Sequence, residues 1–565
     1  MRFQTFCETM DAIGNTNSNL EKMKLATKLL QKATSDKELQ AVSHLILGRA
    51  FPKLAEKKIN IGYRLLWQVV MELSRRSDIE NREYYRKDSD IGRLVEFALT
   101  KKKATLLSFM NKDHKKMIYD VLDIQRFFSK LATITGTGAQ MKRARMLKEL
   151  LANVSPSEAK YLTRIILEET RIGFREGLLE EAIAKAFVIP LDLVRWANML
   201  LSNLGEVAVI ARKGEDAFEQ VRLLPFRPIR MMLAEKAENI ETALTYHHRK
   251  LSAEVKIDGV RAQAHKVGRK AKIFSRRLED ISGAFPNILQ TLQSIKSDVI
   301  LDGELVGILE GEKVFFQDFT RRLRRKHDVL QYSKAVPAKY FVFDILWANG
   351  ESLLERSYLE RRTVLQKTIP NSEFIEVVPS HQILSIEEGT QLFDQAVAQG
   401  FEGLMLKANH SPYLAGRRGK HWFKLKKILA ELDLVIVAAE YGHGKRTGFL
   451  SDYYLAARDD DGFAIIGKTF KGLTDLEIQQ MTKRLHTITV RDEGWRVQVQ
   501  PKIVVQVAFD NIQASTRYKS RFALRFARIT AIREDKTPED VDTLDMVRQL
   551  YETQLKRQRR ANFIE

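Results

Sequence analysis

The spacing of apolar residues changes near residue 220, and this change limits the folds open to the chain. Residues 1 to about 220 show repeated helix-start signals, such as the capping box with a proline in Ser155-Pro156-Ser157-Glu158. Strands and helices alternate from 221 to 428, and short apolar runs separated by turn clusters follow. Because 565 residues exceed a single core, we predict a multidomain protein: an all-α domain at 1–220, an α+β domain at 221–428 and an all-β barrel with a terminal helix at 429–565.

Charge and cysteine content narrow the class of partner. The chain carries 93 Lys and Arg against 72 Asp and Glu, a formal net charge of +21. Such an excess favours a polyanion, and nucleic acid over an anionic membrane, because neutralised phosphates release counterions. A local run such as Arg321-Arg322-Leu323-Arg324-Arg325-Lys326 is equally compatible with a solvated surface. The single cysteine, Cys7, excludes disulfide frameworks and paired-cysteine zinc sites, and no apolar run approaches about 18 residues. A soluble intracellular protein is expected.

The stretch EVKIDGVRAQAHK at 254–266 places three charges on one face of a strand-like segment. Val255 and Ile257 alternate with those charges, and the parity of the apolar positions flips after Asp258-Gly259. Asp-Gly is a tight-turn or bulge signal, because Gly tolerates positive φ. Two strand arms therefore meet at a turn that directly follows Lys256. Taken alone, this lysine is either a buried ion-pair partner or a nucleophile.

Two glycine-containing segments raise the question of phosphate binding. Thr135-Gly136-Thr137-Gly138 precedes a basic helical segment, so the turn either directs N–H groups at a phosphate or is a plain loop. GFAIIGKT at 462–469 fits the spacing of a P-loop. Its apolar residues follow an acidic turn and do not open a helix, so we predict a β-strand there.

The C-terminal region predicts a small barrel. Apolar runs at 433–440 and 503–509 indicate strands, and the Thr474-Asp475-Leu476-Glu477 box opens a helix between them. About five strands with one inserted helix resemble an OB-fold, a common nucleic-acid-binding module. Thr537-Pro538-Glu539 predicts the start of a final helix.

Six short segments follow one another through the middle region. They are KIDGVR (256–261), FSRRLEDIS (274–282), LDGELVG (301–307), YFVFDILW (340–347), EGLMLK (402–407) and WFKLKK (422–427). Together they resemble the motifs of the covalent nucleotidyltransferases. The helical first third and RYKSRFALRFARI at 517–529 narrow the resemblance to three-domain ATP-dependent DNA ligases of the archaeal and eukaryotic replicative type. The resemblance spans nearly the whole chain.

The resemblance implies an activity and a set of roles. The expected enzyme uses ATP and Mg²⁺ to seal nicks in duplex DNA through a lysyl-AMP and a 5′-adenylated DNA, in replication, repair and recombination. Lys256 would carry the AMP. The other implied contacts are Glu254 and Phe343 with adenine, Arg261, Arg276 and Glu304 with the ribose and phosphate side, and Arg418, Lys424, Lys426, Arg525 and Arg528 with phosphates. Ala527 departs from the family's usual Arg-Phe-Pro-Arg, which removes a rigid φ and is expected to loosen the turn.

The chemistry accounts for these residue types. An ordinary lysine, with a pKa of about 10.4, is almost entirely protonated at neutral pH. Lys424 and Lys426, on one face of a K-L-K strand, together with Mg²⁺, are expected to lower the pKa of the nucleophile. Glu304 and Glu402 suit Mg²⁺, although either would also pair with an arginine.

Alternatives and partners remain to be separated. An RNA ligase or capping guanylyltransferase would share Lys256 and the middle domain but fits the helical N-terminus less well. An NAD-dependent ligase would carry a cysteine-rich zinc module, which a single cysteine excludes. A noncatalytic DNA-binding protein is the rival of another class. We expect a monomer that is cytoplasmic and nucleoid-associated in a prokaryote, with nicked duplex DNA as its partner and no membrane; no sliding-clamp motif is assigned.

Overall fold

The computed structural model describes most of the chain. The residues outside the description are 56, 89, 101–116, 249, 310–311, 315–318, 320–335, 417, 427–430, 443–445, 447 and 560–565. The basic run at 321–326 therefore lies outside the described residues.

Helices dominate the first third. Its described residues form α1 (Phe3–Asn15), α2 (Asn19–Gln31), α3 (Asp36–Leu45), α4 (Tyr63–Leu73), α5 (Asp78–Asp88), α6 (Ile91–Leu99), α7 (Val121–Thr133), α8 (Ala139–Asn153), α9 (Pro156–Ile166), α10 (Glu176–Phe187), α11 (Leu191–Leu201), α12 (Leu204–Lys213) and a 3₁₀ turn, Glu215–Gln220. The predicted capping box is confirmed, because Glu158 N–H donates to Ser155 Oγ and Ser155 N–H donates to Glu158 Oε2. Gly136 and Gly138 have φ of 84° and 76° just before α8, whereas phosphate binding there stays a prediction.

Strands and helices alternate in the middle region, as predicted. The strands are β1 (Leu233–Lys236), β2 (Leu251–Val255), β3 (Val260–Val267), β4 (Lys270–Ser275), β5 (Val299–Leu309), β6 (Glu312–Lys313), β7 (Ala338–Ala348), β8 (Glu351–Ser352), β9 (Ile375–Val377), β10 (Ser380–Ile383), β11 (Gly403–Ala408) and β12 (Arg418–Lys426). The helices are α13 (Ile240–Tyr246), α14 (Pro286–Ser294), α15 (Tyr358–Thr368) and α16 (Ile386–Ala398), with a 3₁₀ turn at Ser282–Ala284.

Two sheets face each other in this region. The five-stranded sheet has the order β1-β12-β11-β2-β10, and the seven-stranded sheet has the order β4-β3-β5-β7-β8, with β6 on β5 and β9 on β7. Outer faces pack against helices, as in the core formed by Ile240, Leu406 and Phe423. A small apolar cluster, including Ile257, Val306 and Phe341, lies between the sheets. The two sheets therefore meet at this apolar cluster.

The helical region and the middle region share one core. Helical residues pack in the same buried cluster as Ile229, Ile300 and Trp347 of the middle region. Burial of this contiguous apolar surface fixes the two regions against each other.

The C-terminal region is strand-rich, with more strands than the five or so predicted. Its described residues form β13 (Leu432–Tyr441), β14 (Leu450–Asp459), β15 (Gly462–Thr469), β16 (Thr489–Asp492), β17 (Arg496–Val499), β18 (Val504–Ala508), β19 (Asn511–Ala514), β20 (Phe522–Arg525) and β21 (Arg528–Ile532), with helices α17 (Asp475–Thr487) and α18 (Leu544–Arg559). Strands of four residues are too short to show an alternation in sequence. The long strand β13 pairs with β18 along its first half and β17 along its second, so the sheet curls.

Two sequence predictions in this region have different outcomes. The Thr474 capping box and the inserted helix are confirmed. The final helix does not start at Thr537, which caps only a 3₁₀ turn at Pro538–Asp540, and α18 begins at Leu544. In the described part of the chain, no helix has the length and apolar character needed to cross a membrane.

Candidate active site

Lys256 lies where the chain crosses from one sheet to the other. The strand arms on either side are confirmed, but β2 belongs to the five-stranded sheet and β3 to the seven-stranded sheet. The Lys256 N–H donates to Gly403 O (2.8 Å), and its carbonyl accepts from the Glu402 N–H (3.2 Å). These bonds fix the backbone of the candidate nucleophile to the start of β11.

Gly259 is needed for space, which corrects the reason predicted from the Asp-Gly signal. Its φ is not positive. A Cβ at this position would lie 2.4 Å from Leu305 O and 2.9 Å from Glu304 Cγ. The crossing chain therefore passes so close to β5 that only glycine fits.

Carboxylates surround the Lys256 amine. Nζ of Lys256 lies 2.5 Å from Glu402 Oε2, and Nζ of Lys426 lies 3.1 Å from the same oxygen. Burial alone would raise the pKa of Glu402, but the two ammonium groups outweigh it and lower that pKa to about 2. Glu402 is therefore ionised throughout the physiological range.

The pKa of Lys256 is shifted upward in the protein alone. Burial lowers it, but attraction from Glu402, and then from Glu304 and Asp258, outweighs burial. The expectation that neighbouring cations lower this pKa is therefore wrong for the protein by itself, because attraction from the three carboxylates has the larger effect. Lys256 rests as an ammonium ion, and deprotonation requires its contact with Glu402 to be weakened.

Glu304 has the opposite electrostatic state. Burial raises the pKa of this carboxyl to about 8, despite the opposing effects of Lys256 and Arg261, and Asp258 raises it further. Glu304 lies on β5 directly opposite Arg261 on β3. At neutral pH its carboxyl is mostly protonated.

Glu254 is held by a buried polar cluster on the inner face of the five-stranded sheet. The residue is only 3% exposed. Lys407 Nζ lies 2.7 Å from Oε2, the Tyr358 hydroxyl donates to Oε1 (2.5 Å), and Arg362 Nη1 lies 3.8 Å from Oε1. These contacts fix the carboxylate that was predicted to meet adenine.

The ring of Phe343 is surrounded by two cationic side chains and one aromatic side chain. Lys407 Nζ lies 4.6 Å from its ring centroid and Arg261 Cζ lies 5.3 Å from it, while Trp422 contacts the ring edge-on at 6.3 Å. Arg261 also donates from Nε and Nη2 to both oxygens of Asp302 (3.2 and 2.7 Å). The structure thus brings Glu254 and Phe343 together around Lys407, and Arg261 lies against the same Phe343 ring.

The remaining predicted residues lie on three elements. Lys424 and Lys426 share one face of β12, as predicted, because Phe423 and Leu425 are buried on the other face. Arg418 is the first residue of β12, and its side chain lies outside the described residues. Arg276 is exposed in the turn after β4.

The C-terminal region reaches this site through Asp510. Lys426 Nζ lies 3.5 Å from Asp510 Oδ2, and the Asp510 N–H donates to Arg525 O (2.9 Å). Arg525 ends β20 and Arg528 begins β21. Arg525 is therefore linked to Lys426 through one residue.

The turn between Arg525 and Arg528 accounts for alanine at 527. Phe526 has φ of 54° and is 54% exposed. A proline disfavours helical conformations in the residue before it, so alanine leaves Phe526 freer to adopt this left-handed one. Ala527 is buried and its carbonyl accepts from the Thr469 hydroxyl (2.5 Å), so the turn is anchored at this point.

The P-loop look-alike is a strand, as predicted. Residues 462–469 form β15, and Lys468 Nζ pairs with Glu440 (2.8 Å) and Asp452 (3.0 Å). This lysine therefore forms ion pairs within its own sheet, which is a structural role.

Sequence reasoning missed several side chains that build the site. Lys407 belongs to the EGLMLK segment but was given no role. Tyr358, Asp302 and Trp422 were not assigned one, and neither was Tyr413, whose hydroxyl donates to Asp302 Oδ2 (2.6 Å). The available signal was a lysine inside an apolar strand run, LMLKA, which predicts a buried charge with a partner.

Facing sheets that enclose a fixed lysine among carboxylates and further lysines define a nucleotidyltransferase catalytic domain. Residues 2–184, 231–426 and 446–536 match, in that order, the DNA ligase N terminus, the ATP dependent DNA ligase domain and the ATP dependent DNA ligase C terminal region. The DNA ligase of Archaeoglobus fulgidus is 36% identical over 560 residues, which cover 98% of each chain. A probable DNA ligase of Koribacter versatilis is 38% identical, covering 98% of this chain and 97% of its own.

A solved structure named Pmar-Lig_PreS3 has a TM-score of 0.59 and 17% identity, covering 94% of this chain and 99% of that one, so it shares the fold. The chain belongs to the ATP-dependent DNA ligase family, whose general function is to seal nicks in DNA.

Proposed function

We propose that Lys256 is the nucleophile with which this protein seals nicked duplex DNA. The observation that carries the proposal is the backbone of Lys256, fixed to β11 with its amine among Glu402, Glu304 and Asp258. A covalent nucleophile needs such a fixed position, because in-line displacement at phosphorus depends on alignment.

The reaction consists of three displacements at phosphorus. The Lys256 amine first loses its proton and attacks the α-phosphorus of ATP, forming a P–N bond and breaking the P–O bond to pyrophosphate. A 5′-phosphate oxygen of the nick then attacks the AMP phosphorus and releases the lysine. Finally the oxygen of the 3′-hydroxyl attacks the 5′-phosphorus and the hydroxyl loses its proton. The bond between this phosphorus and AMP breaks, and AMP leaves. Positioning and charge supply most of the rate.

The other site residues have proposed roles that follow from their places. Glu254 and Phe343 contact adenine, and Arg261, Arg276 and Glu304 hold the ribose and phosphate side. Phosphate contacts come from the basic residues of β12 and of the turn after β20, namely Arg418, Lys424, Lys426, Arg525 and Arg528. The Lys426–Asp510–Arg525 connection supports joint action of the middle and C-terminal regions.

Mg²⁺ fits the carboxylates beside Lys256. Among the described residues, no group of three or more His, Cys, Asp or Glu side chains forms a ready-made metal site. Mg²⁺ commonly uses one or two carboxylates together with water and substrate phosphates, so Glu304 and Glu402 would hold it. When bound, the ion would neutralise phosphate charge, and engagement of Glu402 would weaken the contact that keeps Lys256 protonated.

Metal binding is expected to depend on pH through Glu304. Its pKa of about 8 means that a proton must leave before the carboxyl can ligate a metal at neutral pH. Apparent affinity for Mn²⁺ as a probe, measured by electron paramagnetic resonance, should therefore rise from pH 6.5 to 8 and level off above pH 8. Glu304→Gln should bind the ion more weakly and remove this slope. An unchanged slope in the variant would exclude Glu304 as a ligand.

The DNA partner and the division of labour complete the proposal. We place the helical domain at 1–220, the adenylation domain at 221–428 and the OB-type domain at 429–565, with the outer two clasping the duplex mainly through its backbone. The protein acts as a monomer in the cytoplasm, associated with the nucleoid. The net charge of +21 supports the choice of a polyanionic substrate.

The test is labelling with ATP that is radioactive at the α-phosphate, followed by addition of substrate. We expect an acid-labile label on the protein that nicked duplex DNA removes as the nick is sealed. Parallel reactions with GTP, NAD and RNA ends separate the related enzymes. Label from GTP or NAD alone would refute the assigned nucleotide, and no label from any of them would favour the noncatalytic DNA-binding protein.

A further inference from the structure

Three side chains on one face of β3 hydrogen-bond the segment that joins the helical region to the middle region. This segment, residues 221–232, is called the linker here. Arg261 Nη1 donates to Met232 O (2.6 Å), Gln263 bonds Ile229, and His265 bonds Phe226. Alternate positions on a strand project from the same face, so the three side chains form a row that hydrogen-bonds the linker.

The side-chain amide of Gln263 makes two hydrogen bonds to the backbone of one linker residue, as a neighbouring strand would. Its Oε1 accepts from the Ile229 N–H (3.0 Å), and its Nε2 donates to Ile229 O (3.1 Å). The N–H and the carbonyl of one fully buried residue are thereby both satisfied by one fully buried side chain. A side chain without an amide cannot replace this pair of bonds.

His265 holds the next turn of the linker in one protonation state. Its Nδ1 accepts from the Phe226 N–H (2.9 Å), so the ring proton is on Nε2, which faces Gln263 Oε1 at 3.1 Å. Burial lowers the pKa of His265 to about 3, so the ring is neutral at physiological pH. Phe226 itself has φ of 65°, a strained conformation for a bulky residue, and the bond from its N–H to His265 helps to hold it.

The opposite side of the linker is tied to the helical region. Arg227 donates to Glu206 Oε2 (2.5 Å) and to Leu201 O (3.0 Å), and Arg230 pairs with Glu176. Backbone groups at every third residue thus bond β3, and the arginines between them bond the helices. The linker is fixed from both sides.

We propose that Gln263 and His265 are positioning residues for the DNA-dependent steps of the reaction. They hold the linker, and through it the helical domain, in a fixed placement relative to Lys256. Lysyl-AMP formation involves no DNA and does not need that placement. Binding and sealing a nick require the helical domain and Lys256 to act on the same DNA at the same time. This inference rests on the proposed function, because it assigns DNA binding to the helical domain.

The test compares Gln263→Met, His265→Leu and Arg227→Met with a matched control. Tyr340→Phe removes a buried hydrogen bond to Ala262 O (2.9 Å) within the same sheet and leaves the linker untouched. Three quantities are measured: labelling of the protein by ATP without DNA, sealing in a single turnover from the preformed lysyl-AMP, and affinity for nicked duplex. The affinity requires no chemistry, so it reports on the linker independently of the activity.

We expect labelling within about twofold of wild type in all variants, and nick affinity and sealing lowered at least about tenfold in the three linker variants only. His265→Asn, which keeps an acceptor near Nδ1, should retain most of the affinity that His265→Leu loses. Equal losses in Tyr340→Phe, or labelling reduced as much as sealing, would overturn the inference. If the wild type is not labelled, the proposed function fails, and the nick affinities alone decide the role of the linker. Arg227→Met changes a partly exposed pair, so it gives an answer even if a core variant does not fold.

Discussion

Lys256→Ala is expected to abolish lysyl-AMP formation, with a loss of at least about 10⁴-fold, because a covalent route has no substitute for its nucleophile. The amine of Lys426, which shares the Glu402 carboxylate with Lys256, is engaged with Glu402 and Asp510. The measurement is transfer of radioactive AMP from ATP to the protein. Sealing of an ordinary nick should disappear in parallel.

The same variant should still seal a nick that already carries a 5′-adenylate. The last displacement uses the 3′-hydroxyl as nucleophile, so Lys256 contributes only its charge there. Retained sealing of this substrate would separate loss of the nucleophile from loss of the fold. Failure on both substrates, with an intact thermal transition, would mean that Lys256 acts in the final step as well.

Lys468→Ala is the matched control for this experiment. This lysine lies in the segment that fits a P-loop by spacing, yet it pairs with Glu440 and Asp452 within the C-terminal sheet. We expect normal labelling by ATP. A large loss of labelling would contradict the assignment of residues 462–469 as a structural strand.

Local sequence patterns predicted the features of the structure that depend only on residues close together in the sequence. The capping boxes at Ser155 and Thr474 and the shared face of Lys424 and Lys426 follow from spacing alone. The strand at 462–469 was recognised because its apolar residues do not open a helix. Each of these predictions needs only a few adjacent residues.

Properties that sum over distant segments could not be read in this way. The pKa of Lys256 depends on Glu402, which directly precedes β11, and on Glu304 of β5. A prediction from the lysines of β12 and a bound Mg²⁺ therefore had the wrong sign for the protein alone. The Asp-Gly signal located the crossing between sheets, but its reason, the close approach to β5, needs the tertiary structure.

The polar cluster around Glu254 is the clearest omission. Its partners, Tyr358 and Lys407, are more than 100 residues away in the chain and reach it only because α15 and β11 pack beside β2. One sequence gives no indication which of many polar residues meet. The largest effect on stability is expected at a pair that sequence reasoning did not assign.

Lys407→Met is expected to destabilise the middle domain by about 3–5 kcal/mol, because removing one partner leaves the carboxylate of Glu254 buried without its closest cation. Both side chains are almost fully buried, and Lys407 also lies over the rings of Phe343 and Trp422. Burial lowers the pKa of Lys407 and Glu254 opposes that shift, so the charge of Lys407 depends on Glu254. Calorimetry should show a lowered transition temperature, and labelling by ATP should fall with the displacement of Phe343.

Lys339→Met provides the control, since Lys339 pairs with Glu376 at 2.6 Å but both side chains are about 20% exposed. The same chemical change there should cost about 0–1 kcal/mol. Lys407→Met combined with Glu254→Gln should recover much of the lost stability, because an uncharged pair no longer leaves a lone ion buried. Labelling by ATP should stay low in that double variant, since the carboxylate proposed to meet adenine is gone. Recovery of both stability and labelling would show that Glu254 has a structural role only.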